Sequence, residues 1–103
     1  MFKKESRYTT RRISEEMPFV LQAYLWDCID EQINLNKSID YLQVFRFKSI
    51  KGNILAIEHT QEQPNRKNIY YLPLYDDFKN ILNETIFVID DEEYSTMLFA
   101  QEY

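Results

Sequence analysis

The sequence contains very little of the residues on which most small catalytic and metal sites depend. Among its 103 residues there are one glycine, one histidine and one cysteine. A phosphate-binding loop needs several glycines so that the backbone can approach the anion. A structural zinc site needs about four Cys or His ligands, and a thiol redox pair needs two cysteines. We therefore expect no metal, no cofactor and none of these three kinds of chemistry.

Long apolar runs are also missing. No segment approaches the roughly 20 apolar residues that a membrane-spanning helix requires, and residues 1–12 are charged where a secretory signal would be apolar. The lone Cys28 excludes a disulfide framework within the chain. These absences predict a soluble protein of a reducing, cytoplasmic compartment, with no membrane partner.

The sequence is rich in apolar and aromatic residues. Hydrophobic residues make up 45% of the chain and aromatic residues 16%, a composition that supports a packed core and argues against disorder. The length is that of one domain, which we assign to residues 1–103. The aromatic side chains are more than a core of this size can hide, so some tyrosines are expected at the surface or in an interface.

The charge of the chain is acidic but unevenly distributed. The net charge is −5, yet residues 1–12 hold five basic residues and one acidic residue, a balance of +4 that leaves −9 for the remainder. Residues 1–6 are interpreted as a flexible basic arm. The acidic body disfavours direct nucleic-acid binding. Carboxylates on a rigid sheet could instead imitate a phosphate backbone, so an inhibitor that mimics DNA and blocks a host nuclease or repair enzyme is an alternative function.

Hydrophobic periodicity predicts one main helix and several strands. Apolar residues recur at helical spacing over residues 18–34, with Pro18 in the first turn and Phe19 counted on the apolar side. Strands are predicted over 8–13, 40–48, 54–60, 69–73, 85–89 and 94–100. Gly52-Asn53 predicts a hairpin turn, and residues 75–83 are either a short helix or an irregular crossing. The fold class is α+β, with one main amphipathic helix packed on a largely antiparallel sheet of five or six strands.

The densest polar cluster runs from Glu58 to Pro64, where a strand leads into a loop. His59 could act as a general base oriented by Glu62 or by a residue from elsewhere in the chain, because Glu58 points to the opposite face of an extended strand. The simpler interpretation, which we favour, is a histidine at a sheet edge, followed by a loop that folds back on itself through side-chain hydrogen bonds. A small enzyme using His59 is therefore the third hypothesis.

Two groups of residues are candidates for contact with a partner. The first is a strip of the main helix that mixes aliphatic, aromatic and acidic side chains, as protein interfaces do: Val20, Tyr24, Asp27 and Glu31. This strip could equally lie beneath the basic arm. The second group is the polar phrase His59, Gln61, Glu62 and Pro64. The run Asp90-Asp91-Glu92-Glu93 is interpreted as a solvated turn, since it lacks the alternating ligands and central glycine of a calcium loop.

Several short phrases, taken in order, resemble a known family. They are Arg7-Tyr8-x-Thr10, Leu21-Gln22 with Trp26, Tyr41-Leu42-Gln43-Val44-Phe45, His59-x-Gln61-Glu62-x-Pro64, Val88-Ile89-Asp90-Asp91 and Thr96-Met97-Leu98-x-Ala100-x-Glu102-Tyr103. The chain resembles the domain-of-unknown-function 960 family (DUF960) over nearly its whole length. That family comprises small proteins of Gram-positive bacteria, their phages and staphylococcal cassette chromosomes. The resemblance implies a role in mobile-element biology, and it implies no activity and no catalytic residues.

Together these observations favour a non-catalytic module that binds a protein partner. The motivation is the excess of aromatic residues without a convincing catalytic set. The partner is unidentified, and formation of a homo-oligomer stays open.

Overall fold

Six strands form one sheet in the computed structural model, which describes all 103 residues. They are β1 (Arg7–Thr9), β2 (Leu42–Ile50), β3 (Ile54–Gln61), β4 (Arg66–Pro73), β5 (Thr85–Asp90) and β6 (Ser95–Phe99). Their order across the sheet is β1-β6-β5-β2-β3-β4, and each neighbouring pair is antiparallel except β1 with β6. The prediction of a largely antiparallel sheet carrying one main helix is confirmed.

The main helix, α2 (Phe19–Asn34), follows directly on Pro18. The backbone N–H groups at the start of a helix have no acceptor within the helix. Proline has no backbone N–H, so it loses no hydrogen bond at this position. The buried residues of α2 recur every three or four positions and form one stripe: Leu21, Gln22, Leu25, Cys28, Ile29 and Gln32. Beyond its end, Asn36 takes a left-handed φ of 58°, a conformation that asparagine tolerates and that stops the helix. None of the helices has the length and apolar character needed to span a membrane.

The stretch predicted as a strand over residues 8–13 needs correction. The strand ends at Thr9, and a short helix, α1 (Arg11–Glu16), follows. Thr10 caps this helix, because its Oγ1 accepts a hydrogen bond from the backbone N–H of Ile13 at 3.2 Å. The β-branched residues that suggested a longer strand therefore include the capping residue of a helix.

The expected flexible arm over residues 1–6 also needs correction, because Phe2 is buried in the core. Its backbone N–H donates to Oδ1 of Asp90 at 2.9 Å. Its carbonyl accepts hydrogen bonds from Arg7, through Nε at 3.1 Å and Nη2 at 2.7 Å. Arg7 also pairs with Asp30 of α2 and lies over the ring of Trp26. Apolar burial and charge-assisted hydrogen bonds thus hold this segment against the body.

One face of the sheet, the inner face, packs with α2 and Phe2 around a single hydrophobic core. Alternation along the strands directs Phe45, Phe47, Leu55 and Ile57 to this face, and all four are buried. The opposite face, the open face, carries the intervening residues and lies under neither helix. Phe19, counted on the apolar side of α2, is 80% exposed. At about 3.6 residues per turn it projects away from the buried stripe, toward the solvent side of the helix.

The single glycine lies where the chain needs it. Gly52 and Asn53 join β2 to β3, with φ angles of +90° and +57°, in the left-handed region that glycine and asparagine adopt most readily. The predicted hairpin turn is therefore present at Gly52-Asn53. Residues 75–83 contain a 3-10 helix, Asp76–Ile81.

Candidate functional site

His59 lies on β3, which is an inner strand between β2 and β4 and not the expected sheet edge. Its side chain points into the protein, away from solvent. It is 3% exposed, and its ring stacks on that of Phe45 with centroids 4.3 Å apart. Its Nε2 lies 2.6 Å from Oε1 of Gln43. Burial, followed by the positive charge of Arg66, lowers the pKa of His59 to about 4. The ring is therefore neutral at neutral pH.

The neighbours of His59 determine its tautomer. Nε2 of Gln43 donates to the carbonyl of Asp40 at 2.8 Å and to Oε1 of Gln61 at 3.0 Å, so Oε1 of Gln43 faces the histidine. An amide oxygen only accepts, and Nε2 of His59 must therefore carry the proton. Nδ1 is left with a lone pair and no hydrogen-bond partner. Glu62, the expected orienting carboxylate, is exposed and makes no bond to the ring.

Gln61 connects this buried pair to the loop that follows β3. Its Oε1 also accepts from the backbone N–H of Asp40 at 3.2 Å and from Nη2 of Arg66 at 3.1 Å. Its Nε2 donates to the carbonyls of Ser38 at 3.1 Å and Pro64 at 2.8 Å. Asp40 in turn accepts from the backbone N–H groups of Glu62 and Gln63. The loop folds back on its own side chains, and the polar phrase is a structural network.

This network changes how the second candidate group can act. His59 and Gln61 are buried and cannot touch a partner while the fold is intact. Glu62 and Pro64 are exposed. Only these two members of the phrase remain available for contact.

The helix strip lies at the surface as a group. Val20, Asp27 and Glu31 are exposed, and Tyr24 is half-buried with its ring edge against Tyr70 of β4. No arginine of the N-terminal segment covers the strip, because Arg7 pairs with Asp30 instead. Beneath the strip, burial and then the charges of Glu31 and Asp27 raise the pKa of Cys28 to about 12, so the thiol stays protonated and unreactive.

The turn after β5 is only partly solvated. Asp90 is buried and accepts from the backbone N–H groups of Phe2 and Glu92. Asp91, Glu92 and Glu93 are exposed. The expectation of a fully solvated acidic turn is thus corrected for its first residue, which anchors the N-terminal segment. No three His, Cys, Asp or Glu side chains come together in an arrangement that could hold a metal ion.

The open face is aromatic and aliphatic on the side of β1, β6 and β5. Tyr8 and Tyr94 meet edge to face with ring centroids 5.8 Å apart, and Phe87 and Tyr103 do so at 5.9 Å. We call these four residues the aromatic patch. Three of them are well exposed, Tyr103 most of all. Edge-to-face packing is a favourable geometry for aromatic rings, so each ring of the patch has a packing partner while three of the four stay accessible.

On the side of β2, β3 and β4, the open face is positively charged. A trough of about 410 Å³ has the small Ala56 among its lining residues, together with Arg46, Lys48, Glu58, Lys67 and Ile69. Glu58 is the only carboxylate in it, and it is shared between Arg46 at 3.8 Å and Lys67 at 3.5 Å. The lining therefore has an excess of positive charge, although the whole chain is acidic.

Sequence reasoning did not single out the aromatic patch or the trough. The signal for the trough is present in β2, where Arg46 and Lys48 alternate with Phe45 and Phe47. Such alternation predicts that the two cations share the face opposite the buried rings. The partners of these cations on β3 and β4 depend on strand register, which this pattern does not contain.

Comparison with known proteins gives a family and a fold. A family model described as "Staphylococcal protein of unknown function (DUF960)" matches residues 6–102. A crystal structure of a protein of unknown function from Enterococcus faecalis aligns with a TM-score of 0.80 and 22% identity, covering 100% of this chain and 98% of that one. No curated protein matches the chain in sequence. At this identity the structural likeness shows the fold alone.

Proposed function

Because the chain belongs to the DUF960 family of staphylococcal proteins of unknown function, we propose its function from its own structure: it is a non-catalytic module that binds a protein partner through the open face of its sheet. The observation that carries the proposal is the uncovered aromatic patch. A sheet face that serves only as a solvated surface is polar, whereas this one presents Tyr8, Phe87, Tyr94 and Tyr103.

The chemistry of the patch suits a protein interface. Tyrosine supplies a large contact area with few rotatable bonds, and it is enriched among the residues that dominate binding energy. The two edge-to-face ring pairs restrict the side chains before binding, which lowers the entropy cost of ordering them. Cations to one side of the patch, in the trough, favour a partner surface that is acidic there.

The inward position of His59 supports a binding role over a catalytic one. The ring donates its only proton to Gln43 and is closed off from solvent. A general base must reach the proton that it removes. The link to mobile genetic elements that the family resemblance implies stays a prediction.

The proposal is tested with a matched pair of tyrosine substitutions. Tyr8 and Tyr75 are both 57% exposed and each packs edge to face on one ring, but Tyr75 lies beside the 3-10 helix, outside the patch. Proteins captured from the host lysate by the wild-type chain are identified and purified, and their affinities are measured for Tyr8→Ser and Tyr75→Ser. We expect Tyr8→Ser to weaken binding by about tenfold or more and Tyr75→Ser to leave it unchanged.

Two outcomes would contradict the proposal. Equal affinity for both variants would show that the patch is not the contact. A basic, DNA-handling partner that is released at high salt and is indifferent to Tyr8→Ser would favour the DNA-mimicking inhibitor instead.

The helix strip of Val20, Tyr24, Asp27 and Glu31 and the loop residues Glu62 and Pro64 stay predicted secondary contacts. The same assay, run with Val20→Ser and Glu62→Ala, measures what each region contributes.

A further inference from the structure

Strand β4 is a long and regular edge of the sheet. It pairs with β3 residue by residue, from Arg66 opposite Gln61 to Pro73 opposite Ile54, without a bulge. No backbone hydrogen bond outside this ladder involves a β4 residue, so the groups on its outer side have no backbone partner. The other edge, β1, has only three residues. Edge strands are usually protected by shortness, bulges, a covering element, or charged side chains and proline. Of these, β4 has only the charges of Arg66 and Lys67 at one end and Pro73 at the other.

The side chains along this edge add a reason for a partner strand. On the open face β4 presents Lys67, Ile69 and Tyr71, all exposed. Alternate residues of an added strand would lie directly beside them, since successive side chains of a strand alternate between the two faces. Backbone hydrogen bonds would supply affinity, and the flanking side chains would supply selectivity, as in other cases of strand addition.

The charge of the trough selects the kind of segment. Lys67 is in direct reach of a side chain on an added strand, and Arg46 and Lys48 line the same trough behind it. Glu58 compensates them weakly, because its contacts to Arg46 and Lys67 are long and lie in partly exposed surroundings. A carboxylate on the added strand would therefore be attracted to Lys67, whereas a lysine at the same position would be repelled.

We propose that the β4 edge accepts an extended, acidic segment of the partner protein as a seventh strand, with a carboxylate side chain against Lys67 and aliphatic side chains against Ile69 and Tyr71. This inference rests on the proposed protein-binding function and names the chemistry of the segment. A second copy of the chain fits less well, because its own β4 contains no carboxylate to place beside Lys67. A nucleic-acid strand is opposed by the net charge of −5.

The experiment uses an eight-residue peptide, blocked at both ends, in which one set of alternate positions reads valine, valine, valine and glutamate and the other set is threonine, so that one face carries the carboxylate and the aliphatic side chains together. Its counterpart has lysine in place of the glutamate. Affinities are measured by calorimetry and the contact surface by amide chemical shifts. We expect the glutamate peptide to perturb β4 and to lose about tenfold in affinity for Lys67→Glu. We expect the same variant to gain affinity for the lysine peptide. Lys79→Glu is the matched control, since Lys79 is 57% exposed against 58% for Lys67 and lies on the 3-10 helix.

Strand addition is separated from simple charge attraction by N-methylation of the peptide. Only alternate backbone N–H groups of an added strand point toward β4. Methylating one alternating set should therefore abolish binding, and methylating the other set should leave it intact. Equal tolerance of both sets would overturn strand addition.

Four other results would overturn the inference. The first two are that the glutamate peptide does not bind at millimolar concentration, or that the lysine peptide binds equally well. The third is that an oligothymidylate binds more tightly and displaces the glutamate peptide. The fourth is that the chain associates with itself and that Lys67→Glu removes this association. The proposed function is judged separately. Suppose that Tyr8→Ser lowers the affinity for the captured partner and Lys67→Glu does not. Protein binding through the open face then stands, and strand addition at β4 is wrong.

Discussion

The two faces of the sheet place similar side chains under opposite conditions. On the inner face Ile57 of β3 is fully buried, while on the open face Ile69 of the neighbouring strand β4 is 47% exposed. Phe45 and Phe47 are packed in the core, whereas Tyr8 extends its ring into solvent. Both faces belong to one sheet, and the alternation of residues along each strand separates the two environments.

This difference separates stability from binding. Each Å² of apolar surface removed from water contributes about 25 cal/mol, so the inner face supplies most of the stabilisation that the sheet can give. The open face retains exposed apolar area and cations that Glu58 compensates only in part, and these contribute little to folding and are available to a partner. Substitutions on the inner face should therefore alter the free energy of unfolding, and those on the open face should alter affinity.

The largest effect is expected for Ile57→Ala. This residue is fully buried among the other core side chains, and truncation leaves a cavity that the surrounding strands cannot close completely. We expect the free energy of unfolding to fall by about 2–5 kcal/mol, measured by urea denaturation. A loss below about 1 kcal/mol would be at the level of a surface substitution and would break the assignment of stability to the inner face.

His59, on the inner face, makes the free energy of unfolding of the protein depend on pH. Its pKa is lowered to about 4 from the ordinary value of 6.5, so the folded state binds the proton less readily than the unfolded chain. The contribution is fully present above pH 6.5 and is lost as the pH falls toward 4, by about 3 kcal/mol in all. His59→Gln keeps an N–H donor for Gln43 and removes the titration. We therefore expect a flatter acid limb in urea unfolding curves recorded from neutral pH to pH 4.

The chain has one histidine, so the difference between the two pH profiles reports this group alone. Superimposable profiles for wild type and His59→Gln would show that the ring is hydrated and charged in the folded protein. The inner face would then not extend to this end of β3.

The types of the elements could be predicted because local periodicity determines them. The apolar spacing after Pro18 specifies α2, and the Gly52-Asn53 turn joins β2 to β3 as expected. The face on which His59 lies can also be predicted from the sequence. His59 follows Leu55 and Ile57 at intervals of two residues, so it shares their buried side. The polarity of its imidazole ring suggests a catalytic role, whereas its position in the alternation of β3 predicts that the side chain is buried in the core.

Other features depend on contacts that no local pattern contains. Phe2 is expected in a flexible arm and is buried. Phe2 is held by Asp90, which is 88 positions away in the sequence. The parallel pairing of β1 with β6 likewise joins distant segments. The residues that line the trough come from three strands, and their proximity depends on how those strands are paired. The sequence alone therefore does not predict that these cations lie together.

The smallest change in stability is expected for Ile69→Ala, which makes the comparison of the two faces quantitative. The substitution removes the same atoms as Ile57→Ala, one strand away, from a side chain that is already half in water. We expect the free energy of unfolding to change by no more than about 0.5 kcal/mol, while affinity for the glutamate peptide falls because an apolar contact beside the added strand is lost. Urea denaturation and calorimetry on the same preparation measure both quantities. If Ile69→Ala instead cost as much stability as Ile57→Ala, the open face would support the fold as the inner face does, and its exposed side chains would need no partner to account for them.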